Sequence, residues 1–208
     1  MPKPKRSTAI VRSDATNRFA SLDALLREPT GAIYGDGANE RGEHTAKLYR
    51  YILWRTWDAT LPRVGFVLLN PSTATEHVLD PTLTRCQNFA KRWGAGGMVV
   101  ANIFALRSTD PAGLKRVDDP VGPDNDAAIA AVLACCGRVV AGWGNHGKLK
   151  LRQDRIDEIV RSLPAESQRQ VVCFAVTKSG APKHPLYVAG DAGVTPFERG
   201  SPPGTINH

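Results

Sequence analysis

A chain of 208 residues with 42% hydrophobic composition can fill one full-sized core, whereas a division in two would leave each half thin. Its formal charge of +7 favours a polyanionic partner or substrate. Cys86 and Cys173 stand alone and Cys135-Cys136 are adjacent, a poor geometry for a mutual disulfide. No Cys/His cluster has zinc or iron–sulfur spacing, so neither a metal nor a cofactor is expected.

Residues 1–16 are basic, Pro-containing and aperiodic, the pattern of a flexible arm, and 17–208 read as a single α/β domain with an irregular C-terminal tail. Met1-Pro2-Lys3-Pro4-Lys5-Arg6 is not followed by an apolar h-region, which reads against a signal peptide. No apolar run has the length of a membrane span. The expectation is a cytoplasmic monomer with no membrane partner.

From Asn17 to Arg27, Phe19, Leu22, Leu25 and Leu26 recur at helical spacing, and Pro29 and Gly31 end that helix. Gly35-Asp36-Gly37 reads as a turn, and Tyr49–Trp57 as a strand or hairpin arm. Apolar strands then alternate with helices. Val64–Leu69, Met98–Phe104, Val139–Trp143 and Val171–Val176 are the strands, and Pro81–Trp93, Asp124–Cys136 and Leu151–Leu163 the helices. Such alternation predicts parallel βαβ units: a three-layer sandwich around a central, mainly parallel four-stranded sheet. Gly94-Ala95-Gly96-Gly97 precedes a strand, so it reads as a helix end rather than a phosphate loop.

Polar residues follow several of these strands, where open α/β sheets place their ligands. Asn70, after the first core strand, can hold a water or serve as a turn former. Asn102 interrupts an apolar run near the end of the second, so its amide is expected to be buried and in need of partners. Arg107 opens a polar loop where it can meet a phosphate or pair with Asp110. His184 lies in a Pro/Gly-shaped loop between Lys178 and Tyr187, with Lys183 adding charge, and can stabilise a departing anion. His146, after Gly144, is a second candidate. Trp93 and Trp143 read as core.

In order, these stretches resemble the motifs of the uracil-DNA glycosylase superfamily. Leu69-Asn70-Pro71-Ser72 resembles its first motif, Asn102 to Arg107 the segment whose leading Asn reads the base edge, and Val139 to Gly144 its next core strand. His184-Pro185-Leu186 resembles its His-Pro-Ser motif. Tyr49 to Tyr187 is more closely similar to a bacterial and phage family of unknown function (domain-of-unknown-function family sixteen-forty-three), which supplies no activity. Leu68, Ser72 and Leu186 depart from the glycosylase pattern. A small Ser72 leaves room for a 5-substituent on a pyrimidine.

The resemblance implies a uracil-DNA glycosylase-like fold and hydrolysis of the N-glycosidic bond of a pyrimidine, modified or damaged, in DNA. The catalytic pair would be Asn70 and His184, with Asn102, Ser72 and Phe104 binding the base. Arg107, Lys178, Ser179 and Lys183 would contact phosphates, and Leu186 or Tyr187 would wedge into the gap of a flipped base. Two alternatives remain open: a non-catalytic binder of modified DNA, and a hydrolase of free nucleosides or nucleotides.

Overall fold

The computed structural model describes residues 19–168 and 170–197, so the expected arm over 1–16 lies outside the described residues. The middle of the fold follows from continuous apolar runs. Strands β3 (Arg63–Leu68), β4 (Gly97–Asn102), β5 (Arg138–Gly142) and β6 (Val171–Cys173) are parallel, and all six residues of β4 are buried. Strands covered on both faces need no polar alternation, which is why the sequence shows them as unbroken hydrophobic stretches.

Helices cover both faces. Helix α2 (Pro81–Arg92) packs Leu83, Cys86 and Phe89 on Phe66, Leu68, Met98 and Val100. Helices α3 (Asn125–Cys135) and α4 (Arg152–Arg161) pack Ile129, Val132, Ile156 and Ile159 against Val67, Val99, Val139 and Ala141 on the other face. Short α1 (Leu22–Leu25) joins the second face through buried Leu22, shorter than the helix expected over 17–27. Helix α2 starts where Asp80 accepts from the Leu83 N–H at 2.8 Å, with Pro81 at the first position. It ends before Gly94, whose φ of +71° fits a glycine stop.

The sheet is wider than expected and mixed. Among the described residues it has seven strands in the order β1-β2-β4-β3-β5-β6-β7, so the four-stranded parallel set is only its centre. β2 (His44–Thr56) runs antiparallel to β4, β1 (Thr30–Ala38) antiparallel to β2, and β7 (Thr195–Pro196) antiparallel to β6. The three glycines of β1 disguised it. A Cβ on Gly31 would stand 2.1 Å from the Trp54 ring, and one on Gly35 2.6 Å from Tyr51. Gly35-Asp36-Gly37 is therefore strand, admitting large rings from β2, rather than the expected turn. The reversal comes later, where Asn39 Oδ1 accepts from the N–H of Arg41 and Glu43 at 2.9 and 3.0 Å.

The register skips Tyr51, pairing Ile33 with Ile52 but Tyr34 with Arg50. That bulge puts Arg50 on the same side of the sheet as Leu53 and Arg55, toward the segment after β3. In the parallel set the chain leaves β3 for β4 over one face and reaches β5 over the other. The order β4-β3-β5-β6 thus reverses between β3 and β5, and their carboxyl ends flank a topological switch point.

Candidate functional site

Three strands end level at this switch point, because Leu68 pairs with Asn102 on one side and with Gly142 on the other. With strands about 4.8 Å apart, Asn102 and Gly142 lie roughly 10 Å from each other across β3. Asn102 is 3% exposed as a residue, makes no side-chain hydrogen bond among the described residues, and is not among the fully buried unpartnered groups, so its amide tip is open to water or a ligand. By alternation with Met98 and Val100 it faces the α2 side. Its backbone is gripped from the opposite side. Asn125 Nδ2 donates to the carbonyls of Asn102 and Ile103, each at 3.0 Å, and the Nε of buried Arg152 donates to Ile103 O at 2.6 Å. Arg152 is in turn paired with Asp126 at 2.5 Å.

Asn70 is half-buried, and its Nδ2 donates to the Ser108 and Pro71 carbonyls at 2.7 and 3.1 Å. This fixes the carboxamide and leaves its Oδ1 as an acceptor. Ser72 is half-buried two residues on. The next segment crosses the sheet face. Ala74 is buried against it and accepts from the Arg50 guanidinium.

The loop after β6 folds back on the same edge. A bridge pairs Val176 with Pro182, and Gly144 N donates to Pro182 O at 2.9 Å. Pro185 rests on the end of β5, where a Cβ on Gly142 would come 2.8 Å from its Cδ. His184 Nδ1 accepts from Leu186 N at 3.3 Å, so a neutral ring carries its proton on Nε2. Burial lowers the imidazole pKa below its ordinary value, and the Asp80 carboxylate offsets part of that. From α2, Arg85 donates to Pro185 O at 3.0 Å and to Val188 O, tying this turn to the helix.

The remaining expected residues divide. Ser179, with Thr177, donates to Asn145 Oδ1 at 2.9 and 2.7 Å, closing the loops after β5 and β6 on each other. Lys178 and Lys183 are exposed, as are Leu186 (39%) and Tyr187 (77%), and the Tyr187 ring lies 5.8 Å from that of His184. Phe104 is fully buried in the core on the α3 side, and so offers no surface to a base. Arg107 does not pair with Asp110. It donates to Lys47 O at 3.2 Å and lies 5.5 Å over the Tyr34 ring, whereas Asp110 pairs with Arg116. His146 is exposed, and Trp143 is core, donating to Gln153 at 3.2 Å.

Sequence reasoning missed Arg50, Asp80, Arg85, Asn125 and Arg152. Arg50 had a readable signal, a lone cation inside Tyr49-Arg50-Tyr51-Ile52-Leu53-Trp54. It is 2% exposed, and burial lowers its pKa to about 10 against the favourable fields of Tyr34 and Asp80. Among the described residues, no group of three or more His, Cys, Asp or Glu is gathered to hold a metal ion.

The fold and this edge define an α/β protein whose polar side chains converge at the switch point of a mixed sheet. Residues 50–186, well over half the chain, match the model of the family described as Protein of unknown function (DUF1643), and the chain belongs to that family. The match opens at Arg50 and closes at Leu186, enclosing Asn70, Asn102 and His184. No curated protein and no solved structure gives a significant match. No helix among the described residues is long and apolar enough to cross a membrane.

Proposed function

We propose that this edge receives a pyrimidine base flipped out of DNA and hydrolyses its N-glycosidic bond. The observation that carries the reading is the Asn102 carboxamide, 3% exposed and unpartnered among the described residues. Its amide tip is not among the fully buried groups and so stays open at the sheet edge, where a donor–acceptor pair matches the edge of a pyrimidine. As the C1′–N bond breaks, its electron pair leaves with the base, whose oxygen accepts a hydrogen bond from His184 Nε2–H. Asn70 Oδ1 holds a water by one proton, and the water oxygen bonds to C1′ of the oxocarbenium-like sugar. Its released proton passes to solvent. The neutral state of His184 suits this role, since a preorganised donor stabilises charge that develops only at the transition state.

A second reading rests on Asn70. Its amide nitrogen is committed to two carbonyls, and an amide is no general base, so a slow or non-catalytic binder of modified DNA uses the same groups. Alkaline cleavage of end-labelled oligonucleotides carrying uracil, thymine mismatches or 5-modified pyrimidines separates the two. The expected result is abasic-site formation by the wild type, reduced about 10²–10³-fold in His184→Ala. Full activity in His184→Ala refutes the assignment. No cleavage, with salt-sensitive retention of one oligonucleotide, establishes the binder.

A further inference from the structure

Beside this edge, β2 and the segment after β4 present a cluster of cations that take no part in the proposed bond cleavage. Arg50, Arg55 and Lys47 lie within electrostatic reach of one carboxylate, Glu76, from the segment after β3, and Arg107 stands over the ring of Tyr34, whose hydroxyl holds that carboxylate. The Tyr34 hydroxyl donates to Glu76 Oε2 at 2.7 Å, and Arg107 and Lys47 lie 5.5 and 4.8 Å from the Tyr34 ring centre. Glu76 lies within the electrostatic reach of Arg50, Arg55 and Lys47. One carboxylate thus lies within reach of three cations, with a fourth, Arg107, over the ring that binds it.

The guanidinium groups are poorly satisfied. Arg55 Nε and Nη2 and Arg107 Nε are buried with no hydrogen-bond partner among the described residues. Arg50, 2% exposed, donates to the Ala74 carbonyl alone among the described groups. Buried charged donors without acceptors are costly, and guanidinium groups gathered around Tyr34 and Glu76 are suited to a tetrahedral or planar oxyanion. The cluster also adjoins the switch-point edge. Arg50 N donates to Ala105 O, Ser108 N to Pro71 O and Asn70 Nδ2 to Ser108 O, so β2, the segment after β4 and the segment after β3 are tied together here.

We propose that Arg50, Arg55 and Arg107 form a phosphate-binding site in which the Glu76 carboxylate is a resident counter-ion that the phosphate displaces. Glu76 is held by the Tyr34 hydroxyl, its own backbone N–H and the nearby cations, donors that a phosphate oxygen can take over. Its backbone carbonyl, bonded to the Thr30 hydroxyl, anchors the segment while the carboxylate turns away. The phosphate can belong to a terminal monoester, as in a mononucleotide, or to a diester of the DNA backbone. That the phosphate belongs to a nucleotide rests on the function proposed above. The oxyanion site itself does not.

The test is calorimetric titration of the whole protein with inorganic phosphate at constant ionic strength in chloride. Saturable binding is expected in the wild type. Glu76→Gln, which keeps the shape and the Tyr34 contact but removes the competing charge, is expected to bind about tenfold tighter. Arg107→Gln is expected to bind about tenfold more weakly. A structural ion cluster predicts the opposite for Glu76→Gln: a lower Tm and no gain in phosphate affinity. That result, or wild-type binding indistinguishable from chloride, overturns the proposal. Urea unfolding of each variant separates loss of binding from loss of fold. Thymidine 5′-monophosphate and an oligothymidylate lacking terminal phosphate then identify the source, since only a diester site prefers the latter. Phosphate binding without base excision removes the glycosylase and leaves this site standing, and excision without phosphate binding does the reverse.

Discussion

His184 is subject to two constraints that together fix its useful pH range. Its Nδ1 is engaged by Leu186 N, and burial disfavours the charged ring, so the folded protein holds the neutral form below the ordinary value of 6.5. In the unfolded chain the same imidazole protonates near 6.5. As pH falls through that value the unfolded state therefore binds more protons than the folded one, and the stability of the fold declines. The decline attributable to His184 runs from about 6.5 down to its folded pKa and then stops, because below that both states are charged. Urea unfolding of wild type and His184→Gln between pH 7.5 and 5 is expected to show the wild type losing more stability. Parallel curves would mean that the ring is not desolvated. For the proposed excision the same argument puts the acid limb of the rate profile below 6.5, since the neutral ring with its proton on Nε2 is the form that would act. Asn102 and Asn70 have no such titration, so a limb above 6.5 would point to a different group.

The turn that carries His184 is held by an element distant in sequence. Arg85 of α2 donates to Pro185 O and Val188 O, while its own guanidinium lies 5.7 Å from the Phe89 ring. Arg85→Ala removes both bonds at a half-buried place where water can replace them, so about 1 kcal/mol of global stability is expected to be lost. The local effect is larger: hydrogen exchange over 184–188 is expected to quicken while β3 and β4 keep their protection. Unchanged exchange there would show that Pro185 against Gly142 suffices to hold the turn. Contacts of this kind explain what the sequence could and could not reveal. β3 and β4 were legible because strands buried on both faces leave unbroken apolar runs, and Asp80-Pro81 marked the start of α2. β1 was not, because Gly35 and Gly37 carry the local signal of a turn while their real role is to admit the Tyr51 and Tyr49 rings. Asn70 and Asn102 could be picked out as polar residues at strand ends, and His184 as one in the shaped loop beyond β6. Asn125 could not, since in the first turn of α3 it looks like any helix-start residue, and only the topology brings its amide to the Asn102 carbonyl. Phe104 lies one residue beyond the buried Ile103, and only the packing of the α3 face shows that its ring turns inward.

At the scale of the whole molecule the excess of seven positive charges has to be assigned either to a ligand or to solvent. Arg50 and Arg55 near Glu76 and Arg107 over the Tyr34 ring are partly or fully buried, whereas Lys178 and Lys183 are exposed on the loop after β6, beside the Val176–Pro182 bridge. Lys183 directly precedes His184 and Lys178 lies on the same loop, where on the proposed reading a duplex or single strand delivering a base would pass. Each phosphate neutralised by a cation releases condensed counterions, so the salt dependence of binding counts such contacts without requiring chemistry. Contacts from Arg107, Lys178 and Lys183 correspond to a slope of log Kobs against log salt of about −2.7 for duplex and about −2.1 for single strands. Fluorescence anisotropy with a labelled oligonucleotide over a range of chloride concentrations measures it. Changing Lys178 and Lys183 together to Gln is expected to reduce the slope by about 2 and to weaken binding alike on every sequence, because phosphate contacts position the strand and do not read it. A wild-type slope near zero would mean that the basic surface is merely solvated and that any ligand is small or uncharged. A slope that keeps its full value in the double variant would move the DNA path away from the His184 loop, and with it the proposal that this loop meets the flipped base.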